Sequence, residues 1–188
     1  MTTFLFPERF ILFDTEFTSW EGSLVSCWNN PGQHREIIQI GAITVAGPDF
    51  EIVDEYQSLV RPVINRTLSP FIIDLTGVSQ EQVDSARELP DVLPEFAVWA
   101  GDDLMYAYGS DGARLAENAW LLGIENPLAF ARMRDVREIL EQVGVDWSAY
   151  TSGTLPRAFG VESELPAHDA LNDVKNMREG LRLMMKNT

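Results

Sequence analysis

Cysteine and histidine are nearly missing from this 188-residue chain: Cys27 is its only thiol, and His34 and His168 are its two imidazoles. A lone cysteine cannot close an internal disulfide, and one thiol with two distant imidazoles falls short of a structural zinc site. Redox and zinc-finger chemistry drop out. Positive charge is scarce too, with 14 Lys and Arg against 29 Asp and Glu and a formal net charge of −15. Such a chain repels phosphate backbones and lacks the basic footprint that usually marks a nucleic-acid binder. Clustered carboxylates can nevertheless hold divalent cations, which reverse the local sign and receive phosphate oxygens. No apolar run approaches the roughly 20 residues of a membrane-spanning helix. The opening MTTFLFPERFILF has neither the basic segment nor the small-residue cleavage site of a secretory signal. A cytoplasmic protein without a membrane partner is expected.

With 45% hydrophobic and 23% charged residues, the chain can bury one substantial core, and a single domain over residues 1–188 is expected. RFILFDTEF holds four consecutive apolar residues and then alternating polar ones, the pattern of a strand buried on both faces that emerges into a site. Residues 18–35 lack either periodicity and read as a long loop, a candidate lid. EIIQIGAITV and EIVDEYQSLVRP are β-branched runs separated by the turn signal AGPD, which predicts a hairpin. The period then becomes helical. Ser69 and Pro70 form an N-cap and first helical residue, and Ser79 with Gln82 a capping box. Helices are predicted over residues 90–100, over GARLAENAWLLG up to Gly123, over 134–142 and over 169–185, with DDLMYAYG as a further strand. The order predicts one α/β domain with a mixed sheet.

Acidic residues mark the ends of these elements. Asp14 and Glu16 stand two apart at the carboxyl end of the first strand, so both side chains point to one face. Adjacent carboxylates resist joint ionisation unless a cation sits between them; hydration at a strand end is the bland alternative. Asp111 follows the strand YAYG and opens a helix, where N-capping alone would explain it. Asp102 and Asp103 lie at the strand's other end and are poorer candidates. In HDALNDVKN, His168 and Asp173 are five apart, about 140° round an ideal helix. They converge only if His168 lies in the preceding loop, which Pro166 favours; a loop imidazole and a solvated helix acid are the alternative.

Taken in order, the four pieces resemble the DEDDh class of 3'-5' exonucleases, the DnaQ-like family. FDTEF resembles its first motif, YGSDGARL its second and HDALNDVKN its third, while REIIQIGAI and LTGVSQEQVDSARELPDVLPEF resemble the connecting segments. The third motif is similar to that of the RNA-trimming branch, although Asn172 stands where that branch often has another acid. The resemblance implies a ribonuclease H-like α/β fold, a central mixed sheet of about five strands flanked by helices. It also implies that Asp14, Glu16, Asp111 and Asp173 hold two divalent cations, Mg²⁺ or Mn²⁺, and that His168 is the general base. Phe17, Leu75 and Thr76 match positions that touch the terminal nucleotide in the family, with ordinary packing favoured for Phe17, Trp20 and Trp28.

The implied reaction is hydrolysis at 3' ends of single-stranded RNA or short oligonucleotides, releasing nucleoside 5'-monophosphates. A DNA proofreading or repair exonuclease using the same residues is one alternative. A catalytically silent acidic protein-binding module of the same fold is another. The acidic surface predicts a grip on only the last few nucleotides, unless a homodimer or a basic protein partner supplies a track.

Overall fold

The computed structural model describes residues 6–163 and 165–187. Residues 1–5 of the opening stretch lie outside the described residues. A six-stranded mixed sheet runs in the order β4-β3-β2-β1-β5-β6. β1 (Arg9–Phe17) pairs antiparallel with β2 (Ile37–Ala46), which pairs antiparallel with β3 (Glu51–Arg61). On the other side β1 pairs in parallel with β5 (Met105–Ala107), and β5 in parallel with β6 (Met133–Asp135). β4 (Arg87–Glu88) closes the far edge beside β3.

The sequence locates four of these strands and the resemblance implies about five; the ones without a local signal are the two- and three-residue β4 and β6, too short for any alternation to register. Arg134 and Asp135 are expected to start a helix over 134–142. They instead join Met133 in a strand paired with Met105–Ala107, and the helix α6 (Val136–Gln142) begins after them, with the Asp135 carboxylate capping the Arg137 amide.

β1 is buried along nearly its whole length, and its alternation feeds two cores. Ile11 and Phe13 face the cluster built with α4 (Leu89–Ala100) and α5 (Asp111–Leu121). Phe10 and Leu12 face the cluster built with α6 (Val136–Gln142) and α7 (Ala170–Asn187). A smaller cluster lies under α2 (Pro70–Thr76) and α3 (Gln80–Asp84). Local signals fix those two helices. The Ser69 hydroxyl accepts from the Ile72 amide with Pro70 at the first turn, and Ser79 and Gln82 complete a reciprocal capping box.

Residues 18–35 hold one turn of helix, α1 (Ser23–Ser26), and are otherwise irregular. Their neck is tied: the Thr18 amide donates to Glu36 O at 2.8 Å, and the Glu36 amide donates to Thr18 Oγ1 at 2.9 Å. The buried Glu36 carboxylate then gathers the amides of Val63, Ile64 and Asn65, fixing the segment that leaves β3. Among the described residues no helix is long and apolar enough to cross a membrane.

Candidate active site

Because β1 and β5 are parallel, their carboxyl ends share one edge of the sheet, where ligands of open α/β sheets bind. Asp14 and Glu16 leave β1 at that edge, and Asp111 follows β5. Asp111 does not cap α5. Ser110 holds the N-cap position, Asp111 is the first helical residue, and its Oδ1 accepts from Thr15 Oγ1 at 2.6 Å. The carboxylate is thus held by β1 as well as by its own amide at the helix start.

The fourth carboxylate arrives by a close backbone contact. Gly41 stands opposite Asp14 on β2, and a Cβ there would lie 2.3 Å from Leu171 N and 2.4 Å from Ala170 C. The start of α7 therefore rests directly on the strand beside Asp14, which only glycine permits. Gln39, opposite Glu16, holds that helix start in register. Its Nε2 donates to Asp169 Oδ2 at 2.8 Å, and its Oε1 accepts from the Ala170 amide at 2.9 Å. One turn on, Asp173 is buried, and Gly153 leaves the room it needs: a Cβ at that position would lie 2.3 Å from Asp173 Oδ1.

His168 lies outside α7 with a left-handed backbone, φ +68°, and its amide donates to Asp173 Oδ1 at 3.1 Å. Ligand atoms of Glu16, His168 and Asp173 lie within 4.8 Å of one another. The i, i+5 pair thus converges from loop and helix, as the spacing requires.

The electrostatics are those of a site short of positive charge. Burial raises Asp14 well above the ordinary carboxylate range, and repulsion from Asp111, Glu16 and Asp173 adds to it. Glu16 is pushed up to about 8 by burial and then by Asp173 and Asp111. Burial lifts Asp173 to about 7, against the His168 amide and the Ser152 hydroxyl, which favour its charged form. Asp111 reaches about 6, with burial opposed by the Thr15 hydrogen bond. None of the four joins an ion pair among the described residues. Oxygen donors that repel one another and pair with no basic side chain suit hard divalent ions, so the donor set fits the implied metals.

A cleft of roughly 300 Å³ adjoins this cluster, lined by Glu16 and His168 together with Phe17, Trp20, Trp28 and Leu75. Phe17 and Trp28 meet edge to face at 5.7 Å, so they both pack the loop and wall the cleft. Thr76 does not line it. Its hydroxyl donates to Ile72 O at 2.8 Å and accepts from the Val78 amide at 3.1 Å, which spends it on ending α2. Thr15, Gln39, Gly41, Ser152 and Gly153 escaped the sequence reading. Glycine inside the strand pattern of IIQIGAITV was the one available signal, since such a residue marks close backbone approach.

Comparison with known proteins agrees with this geometry. The RNase_T family profile, described as exonuclease, matches residues 11–179. Human 3'-5' exoribonuclease 1 is 36% identical over 107 residues, covering 54% of this chain and 29% of that protein. The DNA polymerase III PolC-type of Oceanobacillus iheyensis is 32% identical over 106 residues, covering 56% of this chain and 6% of that protein. The chain spans less than a third of the length of either relative. Among solved structures, the nuclease domain of 3'hExo, a DEDDh family member bound to rAMP, superposes with a TM-score of 0.82 at 26% identity, covering 96% of this chain and 92% of that one. With the family matched across nearly the whole chain and the acidic cluster assembled at the strand ends, the chain belongs to the RNase_T exonuclease family, of the DEDDh class.

Proposed function

We propose that the protein is a metal-dependent exonuclease that trims single-stranded RNA or short oligonucleotides from the 3' end and releases nucleoside 5'-monophosphates. The observation that carries this reading is the meeting of four buried carboxylates and His168 beside an aromatic-walled cleft. Asp14, Glu16, Asp111 and Asp173 would hold two Mg²⁺ or Mn²⁺ ions, which when bound stabilise the attacking and leaving oxygens of an in-line displacement.

His168 takes the proton of the attacking water at a ring nitrogen. Burial lowers its pKa, which keeps the imidazole neutral and ready to accept. The new bond forms between the water oxygen and phosphorus, and the bond from phosphorus to the 3' oxygen of the upstream nucleotide breaks. The phosphate thus leaves on the 5' oxygen of the terminal nucleoside. Phe17 and Leu75 face that nucleoside, with Trp20 and Trp28 completing an apolar wall on which any base can stack.

RNA is the preferred substrate in this reading, supported by the likeness to an exoribonuclease and to a domain solved with rAMP. The PolC-type relative, of comparable identity, keeps DNA as the second reading. Matched 5'-labelled RNA and DNA oligonucleotides incubated with Mn²⁺, with and without chelator, test both. Faster stepwise shortening of RNA is expected. Equal or faster loss of DNA overturns the RNA preference, and no chelator-sensitive shortening of either overturns the activity.

A further inference from the structure

Two guanidinium groups share the Glu117 carboxylate on α5, the helix that Asp111 opens. Arg114 Nη1 contacts Glu117 Oε2, and Arg35 Nη2 lies 3.3 Å from Glu117 Oε1. The arrangement carries a spare positive charge beside the acidic cluster of a chain with a net charge of −15. The arginines without an ion pair among the described residues, Arg66, Arg132 and Arg134, bond backbone carbonyls instead. Arg114 is only 12% exposed, and its buried Nε has no acceptor. Arg35 lies over the Trp28 ring, 5.2 Å from its centroid, and the buried Trp28 Nε1 also has no acceptor. A buried donor left unpaired is costly unless an acceptor arrives with a ligand.

Position identifies that ligand. Arg114 follows Asp111 by three residues and so shares its face of α5, and Arg35 touches the tryptophan that walls the nucleotide cleft. Arg114 therefore neighbours Asp111, whose carboxyl feels its charge, and Arg35 neighbours the Trp28 that walls the cleft. A planar guanidinium matches phosphate oxygens in a two-pronged contact. Stapling α5 to β2 does not require these charges, because Asn118 already does it through Ile37 N and Arg35 O. We propose that Arg114 and Arg35 bind the backbone phosphate of the strand immediately 5' to the scissile linkage, with Glu117 as the occupant that this phosphate displaces. Glu117 is 39% exposed and can turn to solvent when the phosphate arrives. The proposal rests on the exonuclease reading and names where the strand runs.

The test compares oligonucleotides that differ only in one linkage, a phosphodiester or an uncharged methylphosphonate immediately 5' to the scissile bond. The wild-type protein should prefer the charged linkage by about ten- to a hundredfold in kcat/KM, the range of a hydrogen bond to a charged group. Arg114→Gln should erase most of that ratio and Arg114→Lys restore part of it. Glu117→Gln should enlarge it, because the guanidinium groups lose their competitor. A purely structural triad would instead leave the ratio unchanged in Arg114→Gln and Glu117→Gln, and that result overturns the proposal. Binding of the same two oligonucleotides with Ca²⁺ in place of Mg²⁺ separates the two readings. Discrimination in binding without nucleotide release sinks the activity and keeps the subsite; nucleotide release without discrimination does the reverse.

Discussion

The Thr15 hydroxyl donates a 2.6 Å hydrogen bond to Asp111 Oδ1, joining the first strand to the start of α5 across 96 positions of sequence. Thr15 lies between Asp14 and Glu16 but points to the opposite face, so it reaches the third carboxylate while its neighbours supply the first two. Thr15→Val keeps the shape and removes the donor. Partners that orient metal ligands cost about ten- to a hundredfold in metal affinity or activity when lost. A rise in the Mn²⁺ concentration needed for half-maximal activity is expected, with Thr15→Ser restoring most of it. An unchanged metal requirement would sink the assignment.

His168 should affect turnover more than binding. Replacing it by alanine should lower kcat by about a hundred- to ten-thousandfold, the usual share of a positioned base, with little change in KM. Because burial lowers its pKa, the acidic limb of the wild-type rate profile should turn at a pH below the ordinary imidazole value of about 6.5. A limb that turns above that value, or survives unchanged in His168→Ala, argues against the imidazole as base.

Stability without metal should fall as pH rises. Burial and mutual repulsion raise the folded-state pKa values of Asp14, Glu16, Asp111 and Asp173 above the unfolded value of about 4. The folded protein therefore binds more protons than the unfolded chain. Stability is fullest below that value and is lost as the groups ionise through about 6, about 7 and about 8. Thermal unfolding in chelator should show Tm decreasing from about pH 5 to about pH 8, with Mn²⁺ flattening the slope. A Tm that rises across that window would contradict the repulsion.

Two glycines can be separated by what their missing side chains spare. Gly41→Ala places a methyl group against the backbone of Ala170 and Leu171, and should cost about 1 to 3 kcal/mol of stability as well as activity. Gly153→Ala meets the Asp173 carboxylate and the Ala167 Cβ, so activity should fall with a smaller loss of Tm. Equal losses in both variants would mean that the two contacts are not distinct.

Much of this arrangement was legible because it is local. Four apolar residues ahead of Asp14, the caps at Ser69 and Ser79, and the loop position of His168 all follow from neighbours in sequence. What escaped is set by distant partners. β4 and β6 exist only because β3 and β5 offer edges to pair with. Asp111 looks like a cap until Thr15 is beside it, and Ser152 and Gly153 acquire meaning only from Asp173. Thr76, named from resemblance, turned out to be occupied with the end of its own helix.

The contact at Gly41 also sets how the acidic cluster ages under mutation. Since α7 rests on β2 main chain against main chain, the gap between Asp14 and Asp173 is gauged by peptide thickness and not by the fit of surrounding side chains. Wear elsewhere in the interior can loosen the molecule while this spacing holds, so the chain can drift far in sequence and still keep its carboxylates in step.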